Sequence, residues 1–379
     1  MKLSYLFYFC DGIGSVFDSQ VLALLKAINE KSIFKKIYLV LGVRNENQRD
    51  DLITKNVSSE IEVIYFKSYP NYPFFNYINR KNIRTILNSQ KINFKEAIFH
   101  TRGEMIAWHL NKVLGSKYYK RIIPDVRGSS IAEIEEYYNF NKIVELLKVD
   151  NYKKAIKNLN KYDKISVVSK YLKEYLVTNY NVESEKIVIT SCLASTAFRF
   201  NEHKREDVRQ KLNLDNNDML IVFSSGGTAN WQNSDILSVL AEKGLKVLNL
   251  SKREIPHKNI INKFVDYAEM PFYLNAADAA IIWRDKSIVN KVSSPVKFSE
   301  YICCGLPVIA NFSVDMINEY LSQNNCGILT DSLDHIDLSI SSELKLKNRK
   351  KISESGILNF GIDSIVNKYL QTYSSIDYL

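Results

Sequence analysis

Residues 293–311, SSPVKFSEYICCGLPVIAN, contain both ends of a helix and the start of a buried strand. Ser294 is a residue type that caps helix N-termini, and Pro295 suits the first helical position. Gly305 ends the helix, and the apolar residues 308–310 then form a short strand. The stretch predicts a capped helix that leads directly into a strand of a parallel sheet.

The same alternation of short β-rich runs and amphipathic runs extends over the whole chain, which predicts an α/β fold with parallel sheets. The predicted strands of the first half are Leu3–Phe9, Lys36–Leu41, Ile61–Phe66, Ala97–His100, Arg121–Val126, Ile165–Ser169 and Ile187–Ile189. Those of the second half are Met219–Ser224, Lys246–Leu250, Val265–Glu269, Ala279–Trp283, Pro307–Ala310 and Gly327–Thr330. Helices are predicted between them, for example over Glu104–Leu114 and Ile131–Leu147.

The strand pattern stops near residues 194–201 and then begins again. A chain of 379 residues is longer than one core usually allows, since single cores rarely exceed about 250 residues. We therefore expect an N-terminal domain over 1–200 and a C-terminal domain over 201–360. A final helix over 361–379 has an apolar stripe with the spacing of one helix face, at Ile362, Ile365, Val366, Tyr369, Leu370 and Tyr373.

The net charge of +9 is concentrated in the first half of the chain. Residues 1–200 carry 31 Lys and Arg against 20 Asp and Glu, whereas residues 201–379 carry 20 against 22. A basic surface favours an anionic partner, such as a phosphate-bearing acceptor or an anionic membrane. No nucleic-acid recognition motif accompanies the charge, so nucleic acid is not expected as a partner.

The five cysteines have no metal-ligand spacing, and no apolar run reaches the ~20 residues that span a bilayer. Reduced thiols and the absence of a spanning segment predict a cytoplasmic protein. The basic half also allows peripheral contact with the inner face of the cytoplasmic membrane.

The helix of the opening stretch has the features of an anion site. The amides around Ser294, Pro295 and Val296 lie at the positive end of the helix dipole, and Lys297 adds a full charge there. Glu300 follows Lys297 by three residues, so the two side chains share a face and lean toward the helix N-terminus. A carboxylate at that position can accept hydrogen bonds from ribose hydroxyls. A solvated surface pair of Lys and Glu is the alternative.

The stretch resembles the donor-site signature of retaining glycosyltransferases of family 4, especially bacterial members that read Ser-Pro-x-Lys-Phe-x-Glu-Tyr. The resemblance implies the GT-B fold: two Rossmann-like domains with parallel sheets that face each other across a cleft, and a C-terminal helix that packs back on the first domain. It implies transfer of a sugar from a nucleotide-sugar to a glycan or glycolipid acceptor with retention of configuration, without cofactor or metal. Glu300 matches the family's ribose-binding Glu, whereas Val292 stands where the family has a first Glu.

A second signature, SSGGTANWQN at 224–233, directly follows the first strand of the second half. Glycines at a strand-to-helix turn let backbone amides approach a phosphate or a sugar. Gly226, Gly227 and Thr228 are therefore predicted to bind the donor. This segment lacks the cation that the resembled family often has, and Arg284, just past a strand, is the predicted substitute.

In the first half, Gly12 and Gly14 follow the first strand and are predicted to contact the donor, with a structural tight turn as the alternative. His100, Asp125 and Arg127 lie at the ends of two further strands, where ligands bind open α/β sheets. We predict that these three residues are catalytic and meet the transferring sugar. A hydrogen-bonded core role remains the alternative for His100 and Asp125.

Residues 65–84 interleave aromatic rings with cations, a composition that suits a glycolipid acceptor, a membrane interface or a packed loop. Three other functions stay open at this point. They are a sugar-nucleotide epimerase of the same fold, a catalytically silent nucleotide-binding subunit, and, on charge alone, a nucleic-acid-binding protein.

Overall fold

The computed structural model describes residues 3–14, 16–45, 60–215, 218–226, 233–337, 339–345 and 347–377. The chain forms two compact units. The first unit joins Met1–Ser191 with Val366–Leu379, and the second unit is Cys192–Ile365. The domain bounds predicted from the sequence, 1–200, 201–360 and 361–379, stay a prediction.

The first unit is built on a seven-stranded parallel sheet. Its strands are β1 (Leu3–Asp11), β2 (Phe34–Val43), β3 (Ile61–Lys67), β4 (Ala97–Arg102), β5 (Ile122–Val126), β6 (Ile165–Val167) and β7 (Ile187–Ile189). They lie in the order β3-β2-β1-β4-β5-β6-β7. Strands β2 and β3 therefore extend the sheet on one side of β1, and β4 to β7 extend it on the other side.

The second unit is built on a six-stranded parallel sheet in the order β10-β9-β8-β11-β12-β13. Its strands are β8 (Leu220–Ser224), β9 (Lys246–Leu250), β10 (Ile260–Asn262), β11 (Ala279–Ile282), β12 (Val308–Ala310) and β13 (Gly327–Leu329). Alternate residues of the strands enter two apolar cores, one on each face: Leu220 and Val222 belong to one, and Ile221 and Phe223 to the other. Helices cover both faces, as parallel sheets require.

Helices connect the strands and cover the sheets. In the first unit they are α1 (Ala23–Glu30), α2 (Asn76–Ser89), α3 (Glu104–Leu114), α4 (Ser130–Tyr137), α5 (Lys142–Lys157) and α6 (Lys170–Tyr180). Then follow α7 (Glu202–Lys211), α8 (Ile236–Glu242), α9 (Met270–Ala276), α10 (Ile288–Lys291), α11 (Val296–Cys303), α12 (Asp315–Asn324), α13 (Ile340–Lys345), α14 (Arg349–Phe360) and α15 (Ile362–Asp377). The predicted apolar stripe of α15 is confirmed, because Val366 and Tyr373 have no exposed surface.

Two predicted elements were wrong. The helix predicted over Ile131–Leu147 is two helices, α4 and α5, because the side chain of Asn141 caps a new helix by accepting from the amide of Val144. The strand predicted over Val265–Glu269 is a turn that leads into α9, in which the carbonyl of Asp266 accepts from the amide of Glu269. The strand at this edge of the sheet is β10 instead.

Each sheet has one point where the strand order reverses, between β1 and β4 in the first unit and between β8 and β11 in the second. The loops at the carboxyl ends of such neighbouring strands run in opposite directions and leave a crevice where ligands bind. These two points are therefore where a functional site is expected in each unit.

Candidate functional site

A pocket of about 400 Å³ lies at the reversal point of the first sheet. It is lined by Cys10, Asp11, Gly12, Ile13, Gly14, Val16, Phe17, Val21 and Arg102. Gly12 has a φ of +101°, a backbone conformation that side chains disfavour, so glycine is needed where the chain leaves β1. The structure thus places the predicted Gly12 and Gly14 in one pocket with Arg102, a cation at the end of β4 that the sequence interpretation left out of the site.

His100 and Asp125 do not line this pocket; they lie on one face of the first sheet. Tyr8, His100, Asp125 and Ser166 form a polar row across four strands, and each has 0–1% of its surface exposed. The rings of Tyr8 and His100 stack at 4.4 Å, and the Ser166 hydroxyl donates to Asp125 Oδ1 at 2.9 Å. Helix α15 covers the row and brings Tyr373 to 2.7 Å from His100 Nδ1.

Arg127 lies at the edge of this polar row and ties three elements together. Its Nη1 donates to Asp125 Oδ1 at 3.3 Å, to the Thr190 carbonyl at 3.0 Å and to the Tyr369 hydroxyl at 3.3 Å. Its side chain is 16% exposed. The three predicted catalytic residues are therefore brought together, but His100 and Asp125 face α15 inside the first unit. Their catalytic role stays a prediction, and their contacts support a positioning role for Arg127.

The electrostatics of the row follow from burial and close charges. Burial alone would raise the pKa of Asp125, but Arg127, His100 and Arg102 outweigh it and hold that pKa below its usual range. Burial lowers the pKa of His100 despite the Asp125 carboxylate, so the ring is neutral at neutral pH. The Tyr373 hydroxyl then donates to Nδ1, and the protonated Nε2 faces Asp125 Oδ2 at 3.5 Å. Because the ring is neutral, this is a contact between a dipole and a charge, and the spacing is too long for a good hydrogen bond.

In the second unit, Lys297 and Glu300 share one face of α11, as their spacing predicts. Lys297 Nζ donates to Glu300 Oε2 at 2.8 Å. Glu300 has no exposed surface, and its other oxygen, Oε1, has no hydrogen-bond partner among the described residues. An ionised carboxylate that is buried with an oxygen unpaired is costly unless a donor arrives. The surface-pair alternative is excluded, since this Glu belongs to the interior.

The start of α11 differs from the prediction by one residue. Pro295, not Ser294, is the residue before the helix, and it provides no side-chain cap. The Ser294 hydroxyl instead accepts from the amide of Cys192 at 3.2 Å. Because Pro295 has no N–H, the free amides of this helix end begin at Val296 and Lys297. Pro295 fixes the backbone angle φ at which the chain enters α11. The anion-binding role of the N-terminal end of α11 stays a prediction.

Gly305 ends the helix as predicted, with a φ of +72°. A Cβ at this position would lie 2.3 Å from the carbonyl oxygen of Arg349, so no other residue fits.

Tyr301, the residue after Glu300, ties α11 to the end of β8. Its hydroxyl accepts from the Ser224 amide at 2.8 Å and lies 2.8 Å from the Ser224 hydroxyl. Gly226 follows as an exposed bend, while the predicted Gly227 and Thr228 lie outside the described residues. The sequence predicts no separate role for Tyr301 within its motif, because the contact with the glycine-rich segment joins residues 77 positions apart.

Arg284 lies at the other side of the second reversal point, just past β11. Its Nη1 donates to the Oδ1 of buried Asn290 at 3.2 Å. Asn311, at the end of β12, accepts from the Arg284 amide at 3.2 Å and donates to its carbonyl at 2.7 Å. Two asparagines thus fix the loop that presents this cation, and its phosphate-binding role stays a prediction. The residue at the position of the family's first Glu, Val292, is buried with 3% exposure.

A pair of carboxyl groups that the sequence interpretation did not single out follows β4 and β5. Glu104 is 3% exposed, and its Oε1 has no hydrogen-bond partner in the described part of the chain. Burial, and then the charge of Glu104, raise the pKa of Glu133 to about 7. Glu133 Oε1 lies 3.5 Å from the place of a Cβ on Gly128, beside Arg127. A carboxyl group with such a pKa can accept or release a proton at neutral pH.

Among the described residues, no group of three or more His, Cys, Asp and Glu side chains is arranged to hold a metal ion. No helix of the described part of the chain has the length and apolar character that crossing a bilayer demands.

No protein-family model matches this sequence, and no curated protein is similar to it in sequence. Solved structures are similar in fold. A glycosyltransferase from Rickettsia africae ESF-5 superposes with a TM-score of 0.71 at 16% identity, over 99% of this chain and 98% of that one. The sucrose-phosphate synthase of Thermosynechococcus elongatus gives 0.71 at 12% identity, over 98% and 99%. Anabaena HepE in complex with UDP-glucose gives 0.69 at 12% identity, over 98% and 99%. With these similarities and its two parallel sheets, the chain has the GT-B fold, two Rossmann-like α/β units of the kind that these solved proteins share.

Proposed function

We propose that this chain is a glycosyltransferase that moves a sugar from a nucleotide-sugar to a glycan or glycolipid acceptor, in the synthesis of cell-surface polysaccharide or glycoconjugate. The observation that carries the proposal is the buried Glu300 carboxylate: Lys297 holds its Oε2, and no described residue bonds to its Oε1. Ribose hydroxyls would donate to that free oxygen. Similar structures include one in complex with UDP-glucose, and another bound to ADP and acarbose.

The proposed chemistry follows from charge. Departure of a nucleoside diphosphate needs positive groups placed where its negative charge develops. The amides of Val296 and Lys297 and the guanidinium of Arg284 would supply them, with Asn290 and Asn311 keeping Arg284 in position. We propose retention of configuration without a protein nucleophile, as the family resemblance implies. Gly12, Gly14, Gly226, Gly227 and Thr228 stay predicted donor contacts.

The test is thermal stability with UDP, GDP, ADP and CMP and their sugar conjugates, on the wild type and Glu300→Ala. A ligand at ~100 times its Kd adds about 2.7 kcal/mol to the free energy of unfolding, enough to raise the melting temperature by several degrees. We expect one nucleotide series to stabilise the wild type and to lose its effect in the variant. Glu343→Ala is the control, since its carboxylate is 58% exposed and pairs with Lys347 on the same unit. An unchanged shift in Glu300→Ala contradicts the assignment.

A catalytically silent nucleotide-binding subunit is the second candidate, and the buried Val292 favours it. An apolar side chain there supplies no carboxylate near a donor sugar. Release of free nucleotide on addition of an acceptor separates the two: a transferase releases it stoichiometrically with product, and a silent subunit binds the donor without turnover. An epimerase would convert the donor with no acceptor present.

A further inference from the structure

Two helices of the first unit expose apolar side chains at their N-terminal turns, in both cases with i, i+3, i+4 spacing. We call these six residues the apolar patch: Phe74 (63% exposed) in the 3₁₀ turn Pro73–Phe75 that leads into α2, Tyr77 (73%) and Ile78 (36%) in the first turn of α2, and Ile143 (73%), Leu146 (57%) and Leu147 (42%) on α5. The spacing places each set of three on one side of its helix. The apolar patch therefore consists of two groups of three residues with the same spacing, and not of scattered surface residues.

The two halves of the patch lie on adjoining segments. The ammonium of Lys148 lies 4.7 Å from the ring centre of Tyr72 and 4.4 Å from that of Phe140, so it joins the two segments by cation–π contacts. Asn76 Nδ2 donates to Asn151 Oδ1 at 2.8 Å, a buried bond between α2 and α5. These contacts hold the exposed turns side by side.

The unit's own core does not need the apolar patch. Helix α2 buries Ile83 and Leu87, and α5 buries Val149 and Ile156, which lie on other sides of the same helices. Exposed apolar surface of this extent costs solubility and marks an interaction site. The question is which partner covers it.

The charged residues around the apolar patch indicate the chemistry of its partner. Residues 67–84 carry Lys67, Arg80, Lys81 and Arg84 and no Asp or Glu, and α5 carries five lysines and two carboxylates. Both carboxylates are already neutralised, Glu145 by Lys142 at 2.8 Å and Asp150 by Lys154 at 2.6 Å. Glu135 and Glu136 on α4 are the nearest acidic residues before α5 in sequence, and with them the cations still outnumber the acids by nine to four. An apolar surface surrounded by lysine and arginine is typical of proteins that lie in the interface of an anionic bilayer.

We propose that the apolar patch inserts into the headgroup region of a membrane that contains anionic lipids. A second copy of this chain is a poorer partner, because a symmetric contact would place these cations opposite the same cations. In the bilayer, the six side chains leave water while the surrounding lysines stay at the phosphate level. The inference does not depend on which reaction the protein carries out.

The experiment is co-sedimentation of the full chain with vesicles of phosphatidylcholine alone, or mixed with phosphatidylglycerol, at low and high salt. We expect binding to the mixed vesicles that weakens as salt rises. The double variant Ile143→Ser and Leu147→Ser should bind them at least about tenfold more weakly, since burying each large apolar side chain contributes more than a tenfold change in affinity. Lys153→Gln with Lys157→Gln should weaken binding mainly at low salt.

Leu358→Ser is the matched control, because Leu358 is 75% exposed on the second unit. It should bind the vesicles like the wild type. As a gain-of-signal measurement, Phe74→Trp should shift its fluorescence to the blue on mixing with phosphatidylglycerol vesicles and not with phosphatidylcholine alone. Melting temperatures equal to that of the wild type show that the variants are folded.

Any of three results would overturn the proposal. The first is that the wild type binds neither kind of vesicle, and the second is that the Ile143→Ser and Leu147→Ser double variant binds vesicles as well as Leu358→Ser does. The third is that light scattering shows a wild-type dimer that the double variant converts to a monomer, while the wild type binds no vesicles. The last result would assign the patch to a second copy of the chain.

Discussion

The Lys297–Glu300 pair of the second unit and the Asp125–Arg127–His100 cluster of the first unit are both buried sets of charged and polar groups. In the first unit, Asp125 Oδ1 accepts from Ser166 and Arg127, and Oδ2 faces His100 at 3.5 Å. In the second unit, Glu300 Oε1 has neither a hydrogen bond nor an ion pair among the described residues. Asp125 Oδ2 and His100 Nε2 also lack a hydrogen bond among the described residues, but they face each other, and Asp125 keeps two donors. This cluster is expected to hold the fold, and the incomplete Lys297–Glu300 pair to hold a ligand.

The largest effect is expected from Asp125→Ala. Removing this carboxylate leaves the Arg127 guanidinium without its counter-charge, which costs about 3–5 kcal/mol when the pair is buried. The melting temperature should fall by about 10 °C. Calorimetry measures this directly, with Asp150→Asn as the control, since that carboxylate is 57% exposed and its loss should move the transition by only about 1 °C. An Asp125→Ala variant as stable as the wild type would show that the cluster is not structural.

His109 tests whether an unpaired buried polar group must belong to a ligand site. His109 on α3 is 2% exposed, and neither ring nitrogen has a hydrogen bond to any residue that the structure describes. Burial, and then Arg80, lower its pKa to about 3. The unfolded chain binds this proton near pH 6.5, so stability is lost as pH falls from about 6.5 toward 3, by about 5 kcal/mol at most.

The measurement is urea unfolding of the wild type and His109→Leu between pH 7 and pH 4. The difference between the two should change with pH, the wild type losing more stability in acid. Parallel curves would mean that His109 is charged in the folded protein and has a partner, which would make it a second site.

The third prediction concerns the incomplete pair. Glu300→Gln keeps the shape of the side chain and removes its charge, so binding of the preferred nucleotide should weaken by about 10- to 100-fold, the value of a charge-assisted hydrogen bond. Titration calorimetry measures it, with Glu343→Gln unchanged. If Glu300→Gln binds the nucleotide as tightly as the wild type, the ribose lies elsewhere. The Glu300 pair would then be no more a ligand site than the Asp125 cluster is.

A smaller effect is expected where α15 meets the first sheet. Tyr373→Phe removes the hydroxyl that donates to His100 Nδ1 and should cost about 1 kcal/mol of unfolding free energy. Tyr77→Phe is the control, because Tyr77 is 73% exposed on the same unit. If Tyr373→Phe instead left stability unchanged and reduced turnover, His100 would act in catalysis as predicted from the sequence.

The smallest effect concerns Glu133, which follows the same strand as Arg127. If it takes part in turnover, the rate with acceptor should depend on a group with an apparent pKa near 7. Glu104→Gln removes the neighbouring charge and should move that midpoint to lower pH by less than about one unit, because burial is the larger cause. A pH profile of kcat tests this, and a midpoint that does not move would exclude Glu133 as the titrating group.

Much of the architecture could be predicted from local patterns. Strand β9, for example, lies where the sequence places it, because an apolar run bounded by turn residues is buried in a parallel sheet whatever its neighbours are. The errors occurred where a local competitor decided the outcome. Asn141 began a new helix within an apolar stretch, and the turn at Asp266 replaced a strand that alternation alone favours.

By itself, the sequence determined the α/β class, the glycine that ends α11 and the shared face of Lys297 and Glu300, because these depend on residues a few positions apart. Only the tertiary structure decided that His100 and Asp125 lie under α15, that Ser294 binds Cys192 rather than its own helix, and that one oxygen of Glu300 is left unpaired by the residues described. Those outcomes depend on contacts between residues that are distant in the chain, and a residue's type specifies which bonds it can make but not which partner the fold brings to it.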